Sequence, residues 1–255
     1  MIELKTSGEL DAMRHAGRVV ANALAAVRAQ ADVGVRIREL DDVAATVIAE
    51  AGATPSFLNY HPSFAPSPYP AVICASVNDA IVHGIPGQQR LADGDLISID
   101  CGAHLDGWCG DSAISFIVGH PDEADAALIE ATEHALHAGI AAARAGQRLG
   151  DIGTAIGTVA RFAGYGLLSR HGGHGVGRAM HEEPHVPNEG RPGRGLVLRP
   201  GLVLALEPML ISGGTDTYRT DSDGWTLRTT DGSRAAHAEH TVAITEDGPR
   251  ILTLA

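Results

Sequence analysis

Long apolar runs are absent from this 255-residue chain. No stretch approaches the roughly 18 residues of a membrane-spanning helix, and the opening MIELKTSGELDAMRHAG carries acids where a signal peptide would be apolar. Cysteine is scarce and odd in number. Cys74, Cys101 and Cys109, in a chain too long to need staples, read as reduced thiols of a cytoplasmic protein. Basic clusters are missing as well: 19 Lys and Arg stand against 31 Asp and Glu, for a formal charge of −12. That balance excludes a phosphate-binding groove and a direct nucleic-acid site, and favours a substrate carrying an ammonium group. Nucleophile and nucleotide signatures are lacking too. There is no G-x-S-x-G elbow, and Gly173-x-Gly175-x-Gly177 is neither G-x-G-x-x-G nor placed after a strand in a βαβ unit. What is present is a globular chain, 44% hydrophobic, large enough for one substantial core or two fused halves.

Helical and strand patterns alternate twice, an α/β (α+β) arrangement. Residues 6–29 begin with the capping-box spacing Thr6-x-x-Glu9 and carry Leu10, Met13, Val20, Leu24 and Val27 on one face. Residues 36–51 repeat the pattern with Ile37, Leu40, Val43 and Val47, closed by Gly52. The apolar runs AVICAS, AIVHGI, DLISIDCG and SAISFIVG follow as strands. From Pro121 the order restarts: helices over 122–146 and 149–166, a glycine-rich loop, then GLVLALEPML, WTLRTT and EHTVAIT as strands. Two helices then strands, twice over, is the mark of an internal duplication, with halves of about 1–120 and 121–255 in a single domain over 1–255.

The echo reaches single residues. Gly94 and Gly201 each open an apolar strand that reaches a carboxylate six residues on, Asp100 and Glu207, while Asp111 precedes SAISF and Glu239 precedes HTVAI. A buried carboxylate is costly unless a proton, a cation or a metal neutralises it. Basic residues near these four are few, so metal is the economical partner. Four carboxylates plus one histidine from the glycine-rich loop suit two divalent ions, roughly 3.5–4 Å apart, sharing bridging carboxylates.

That loop, HGGHGVGRAMHEEPH (171–185), holds four histidines and five glycines or prolines in fifteen positions. His181-Glu182-Glu183-Pro184-His185 matches H-E-x-x-H, the zinc-protease motif that needs both histidines on one helical face. Pro184 costs a helix interior about 3 kcal/mol or more. The match is therefore read as coincidental.

The segments SVNDAIVHGIP (76–86), LISIDCG (96–102), GWCGDSA (107–113), GGHGVGRAMHEEPHVPN (172–188), LEPM (206–209) and AEHTVAI (238–244) together resemble type I methionine aminopeptidases over nearly the whole chain. The resemblance implies the pita-bread fold: two pseudo-symmetric halves with an antiparallel sheet core enclosing a dinuclear metal site, helices outside. It implies that Asp111, His174, Glu207 and Glu239 hold one ion, and that Asp100, with Asp111 and Glu239 bridging, holds the second; the ions would be Co, Mn, Fe or Zn. His83 would contact the substrate amide, His181 would stabilise the oxyanion, and Glu207 would also shuttle a proton. Tyr60, Tyr69, Cys74, Met180 and Trp225 occupy places where the family lines its methionine pocket. Met180 stands where an aromatic residue is usual, and HGGH replaces a more common cysteine-containing lead. His171 and His185 match no functional position of the family and are read as packing or surface histidines.

The implied activity is removal of the N-terminal methionine from nascent chains, near the ribosome, when the second residue is small and uncharged. The 25 residues between His181 and Glu207 leave no room for the helical insertion of the type II branch, so the minimal form, a cytoplasmic monomer, is expected. One alternative is an Xaa-Pro aminopeptidase-like or prolidase-like relative; another is a non-catalytic binding module of the same fold, which would have lost its metal ligands.

Overall fold

Thr6 opens the first helix through a reciprocal cap. Its backbone N–H donates to Glu9 Oε2 at 2.8 Å, while Glu9 N–H donates to the Thr6 hydroxyl at 3.4 Å. The computed structural model describes residues 2–63, 65–168 and 170–255. Helix α1 (Ser7–Gln30) buries Leu10, Met13, Val20, Leu24 and Val27, as its periodicity predicts. Helix α2 (Ile37–Glu50) is rotated slightly from the expected face: Ile37, Leu40, Ala44 and Ile48 are buried, and Val43 and Val47 sit half-buried at the edge. Asp41 is the reason. Its Oδ1 accepts the backbone N–H groups of Val72 and Ile73 at 2.8 and 2.9 Å, which turns that stripe toward the sheet.

The chain continues through β1 (Thr54–Pro55), β2 (Ile73–Val77), β3 (Ala80–Val82), β4 (Leu96–Leu105) and β5 (Trp108–Ile117), then α3 (Glu123–Ala142) and α4 (Leu149–Phe162). After these come β6 (Gly166–Leu167), β7 (Gly172–Gly175), β8 (Glu182–Pro187), β9 (Val203–Leu206) and β10 (Met209–Ile211). The last elements are β11 (Tyr218–Thr220), β12 (Leu227–Thr229), β13 (Ala235–His237), β14 (Glu239–Thr245) and β15 (Gly248–Ile251). The expected fourth helix ends early, since Gly164 takes a left-handed φ of +81°. The strand predicted over GLVLALEPML divides into β9 and β10 at Glu207-Pro208, where proline has no N–H to give the ladder.

The main sheet runs β1-β4-β5-β14-β9-β7-β8, with β2 also on β4 and β15 on β14, and every pairing antiparallel. At its centre the β4–β5 pair of the first half meets the β14–β9 pair of the second, along a seam where Glu239 lies opposite Ala113. One apolar core joins α1 and α2 to β2 and β4 through Val20, Leu24, Leu40, Ile48, Ile73 and Ile97. Another joins α3 and α4 to β9 and β14 through Leu128, Ile152, Leu204 and Val242. Helices therefore pack against the sheet in each half, and the seam brings the strands that carry the carboxylates side by side.

The glycine-rich stretch corrects the expectation of a loop: it forms the β7–β8 hairpin, with β7 also paired to β9. Glycine permits this. A Cβ on Gly173 would run into the Ala205 carbonyl, and one on Gly175 into the Glu183 carbonyl. Glu182–Pro187 is strand rather than helix, so His181 and His185 do not form the one-turn pair of a zinc protease. Among the described residues, no helix is long and apolar enough to cross a membrane.

Candidate metal centre

Asp100 pairs across the ladder with Ala113, and Gly102 with Asp111. Since side chains alternate with period two, both carboxylates rise from one face of the β4–β5 ribbon as diagonal neighbours. Gly102 makes room: a Cβ there would stand 3.2 Å from Asp111 Oδ1 and 2.9 Å from Phe57 Cε1. Thr241 pins the Asp111 backbone, its hydroxyl donating to the Asp111 carbonyl at 2.7 Å and accepting its N–H at 3.0 Å. Glu239 opens β14 and is tied to β5 by the Ser112 hydroxyl, which donates to its carbonyl at 2.6 Å. Glu207 sits in the break between β9 and β10, its backbone carbonyl accepting from Asn188 Nδ2 at 3.0 Å.

His174, on β7 opposite Ala205, has its Nδ1 2.9 Å from the Gly175 carbonyl. That contact is a hydrogen bond only with the proton on Nδ1, so the Nε2 lone pair is directed inward. Nε2 lies 3.5 Å from Glu207 Oε1 and 4.0 Å from Asp111 Oδ2. Ligand atoms of Asp111, His174 and Glu239 fall within 4.8 Å of one another. So do those of Glu207, Glu239 and His237, and His237 is a residue that sequence reasoning missed. Its signal was there: in AAHAEH, positions 237 and 239 alternate with buried alanines, which places both on one side of an extended strand.

The electrostatics require a cation or protons. Burial pushes the Asp100 carboxyl up to about 7. Burial, reinforced by the neighbouring carboxylates, holds Asp111, Glu207 and Glu239 well above the usual range. Burial also lowers His174 and His237 to about 3, so both imidazoles are neutral. Among the described residues, Asp100 Oδ1, Asp111 Oδ1, Glu239 Oε1 and His237 Nε2 are buried with no hydrogen-bond partner. Orphaned carboxylate oxygens beside neutral imidazoles are the donor set of a borderline divalent metal site.

A cavity of about 700 Å³ opens onto Asp100, Asp111, His174, Glu207 and Glu239. His83 follows β3 with φ +61°, ending the strand that AIVHGI predicts; burial lowers its pKa to about 4. His181 lines the cavity, its ring centroid 4.1 Å from that of His174 and stacked on Tyr60 at 5.3 Å. Tyr60, Tyr69, Cys74, Met180 and Trp225 all line this cavity, joined by Phe57, which sequence reasoning did not single out. Trp225 packs edge-on against Tyr69, 5.1 Å between centroids. The Tyr69 hydroxyl is spent on the carbonyls of Gly84 and Ile73, at 2.8 and 3.1 Å, so this residue offers the cavity only its ring. His171 and His185 also reach the cavity wall, outside both ligand groupings; the His171 ring meets Tyr218 edge-on at 5.0 Å.

Residues 11–246 match the profile of Metallopeptidase family M24. The chain is 56% identical to methionine aminopeptidase 1 of Mycobacterium tuberculosis, over all of this chain and 96% of that one. It superposes on the crystal structure of methionine aminopeptidase from Thermotoga maritima with a TM-score of 0.95 at 39% identity, covering both chains completely. Prolidase from Pyrococcus furiosus shares the fold alone, with a TM-score of 0.79 at 23% identity over 65% of its length.

Proposed function

The chain belongs to metallopeptidase family M24 and, within it, to the methionine aminopeptidases of the pita-bread fold, and from that premise we propose how its residues divide the work. The activity is removal of the N-terminal methionine from peptides by a divalent-metal hydrolase. The number of ions and the residue roles are our reading. Asp111, His174, Glu207 and Glu239 would hold one ion; Asp100, sharing Asp111 and Glu239, would hold a second. When bound, the ions supply Lewis acidity and lower the pKa of coordinated water.

The chain's own residues do the rest. Glu207 takes a proton from the attacking water and returns it to the departing amine. His181 donates a hydrogen bond to the scissile carbonyl as negative charge develops on it, and His83, which lines the same cavity, contacts the substrate amide. Trp225, Tyr69, Tyr60, Met180 and Cys74, with Phe57, receive the methionine side chain, since a thioether gains from aromatic edges. The whole chain serves as one catalytic unit, its halves of about 1–120 and 121–255 contributing two carboxylates each. We infer further a cytoplasmic monomer meeting new N-termini near the ribosome, with three buried, unpaired thiols favouring a reducing compartment.

The observation that carries this reading is the gathering of three buried carboxylates, Asp100, Asp111 and Glu239, with His174 and half-buried Glu207 along an aromatic-lined cavity. Metal-loaded protein should release methionine from Met-Ala-Ser and leave Ala-Pro intact. Cleavage of Ala-Pro alone would move the chain to the prolidase-like alternative, and no cleavage of either would favour the binding module.

A further inference from the structure

The Glu207 carboxylate lies between two imidazoles: Oε1 is 3.5 Å from His174 Nε2 and Oε2 is 3.7 Å from His237 Nε2. His237 Nε2 is also 3.9 Å from Glu239 Oε2. The ring is 1% exposed, and Nε2 has no hydrogen-bond partner among the described residues. If it served only to neutralise the carboxylates, charge-assisted bonds of about 2.7–2.9 Å would be expected. The gaps are an ångström longer. They match those around His174, and they fit donors sharing an ion: two ligand atoms each about 2.1 Å from one metal stand at most about 4.2 Å apart.

The backbone holds the ring in that position. Ser115 clamps His237 on both sides, its Oγ accepting the His237 N–H at 3.0 Å and donating to the His237 carbonyl at 2.7 Å. Ladder pairing with Met209 fixes its register. We propose that His237 is a second imidazole ligand, binding through Nε2 the ion shared by Glu207 and Glu239. This rests on the metal-centre reading above and extends it to a residue outside the expected ligand set. A second nitrogen donor would also bias the site toward Co(II), Zn(II) or Fe(II) over Mn(II), since imidazole prefers the softer ions.

The test uses the full chain loaded with Co(II), followed by proton NMR of exchangeable imidazole N–H resonances shifted far downfield by the paramagnetic ion. The expected spectrum has two such signals. His174→Ala removes one, and His237→Gln removes the other while keeping the His174 signal, which also shows that the variant is folded. His237→Asn serves as a second variant if the first does not fold. The Co(II)-to-Mn(II) affinity ratio, measured by titration, should fall about tenfold or more in His237→Gln. A single wild-type signal lost in His174→Ala and kept in His237→Gln would overturn the role of His237 while leaving the metal centre intact. Two signals that both survive His237→Gln would also overturn it. Absence of Co(II) binding would overturn the metal-centre reading and this one together.

Discussion

The imidazole rings of His174 and His181 lie 4.1 Å apart, centroid to centroid, tilted by 45°, yet only His174 falls within a group of candidate metal ligands. His174 directs Nε2 at the carboxylates, whereas His181 stacks on Tyr60 and belongs to neither ligand grouping. His174→Ala should therefore lose at least one metal and nearly all activity. His181→Ala should keep its metal yet lose about 10²–10³ in kcat, the scale of one oxyanion donor. His185→Ala should retain most activity and normal metal content. Elemental analysis beside steady-state kinetics checks all three, and a metal-free, inactive His185→Ala would mean that the hairpin is misassigned.

Gly102→Ala tests the packing that separates the carboxylates. The new methyl would meet Phe57 at 2.9 Å and Asp111 Oδ1 at 3.2 Å, so either the pocket wall or the ligand has to move. Metal affinity should drop at least tenfold with the fold retained, because Gly102 has no left-handed φ for alanine to oppose. Isothermal titration of wild type and variant gives the comparison; equal affinities would show that the ribbon yields elsewhere.

Metal affinity should rise with pH. Asp100 keeps its proton up to about 7 in the metal-free chain, and the other three carboxyls are raised as well, so an arriving ion has to displace protons. His174 and His237, lowered to about 3, are neutral throughout and do not compete. The affinity should therefore grow by at least about tenfold per unit between about pH 5.5 and about pH 7, with proton release visible in buffers of different ionisation enthalpy. A flat profile would contradict the raised carboxyls.

Much of the centre was legible in the sequence because it is built on strands. Asp100, Asp111 and Glu239 punctuate apolar runs whose burial leaves a carboxylate little choice of partner, and the helix caps and glycine stops set the order of elements. The hairpin carrying His174 was not legible, since its place in the sheet depends on the Ala205 carbonyl of β9 approaching Gly173 from a distant segment. Phe57 gave no signal, being a lone aromatic outside any periodic element. His237 did, through its two-residue spacing from Glu239, but the short strand ending at 237 hid it. The rotation of α2 was invisible for a similar reason: the contacts of Asp41 with Val72 and Ile73 are long-range.

Specificity should follow the enclosure of the site. A second-residue side chain has to fit beside the metal set and His83, so Met-Ala-Ser should be cleaved at least a hundredfold faster than Met-Lys-Ser in kcat/KM. Acetylating the amine should stop turnover, because the free ammonium group suits the carboxylate-rich floor. Chromatography of released methionine measures both, and equal rates on the two peptides would mean that the cavity does not select by size.

Glu239→Ala bears most directly on the claim that buried carboxylates of both halves share two ions. Glu239 is 2% exposed, belongs to both ligand groupings and has an Oε1 without a hydrogen-bond partner among the described residues; as it is the carboxylate proposed to bridge both ions, its loss should affect both and leave neighbouring charges unneutralised. Metal content and Met-Ala-Ser hydrolysis should be measured on the same samples of wild type and variant. The account predicts two divalent ions per active wild-type chain, and at most one in a Glu239→Ala chain without measurable activity. A fully active Glu239→Ala chain that still carries two ions would contradict it.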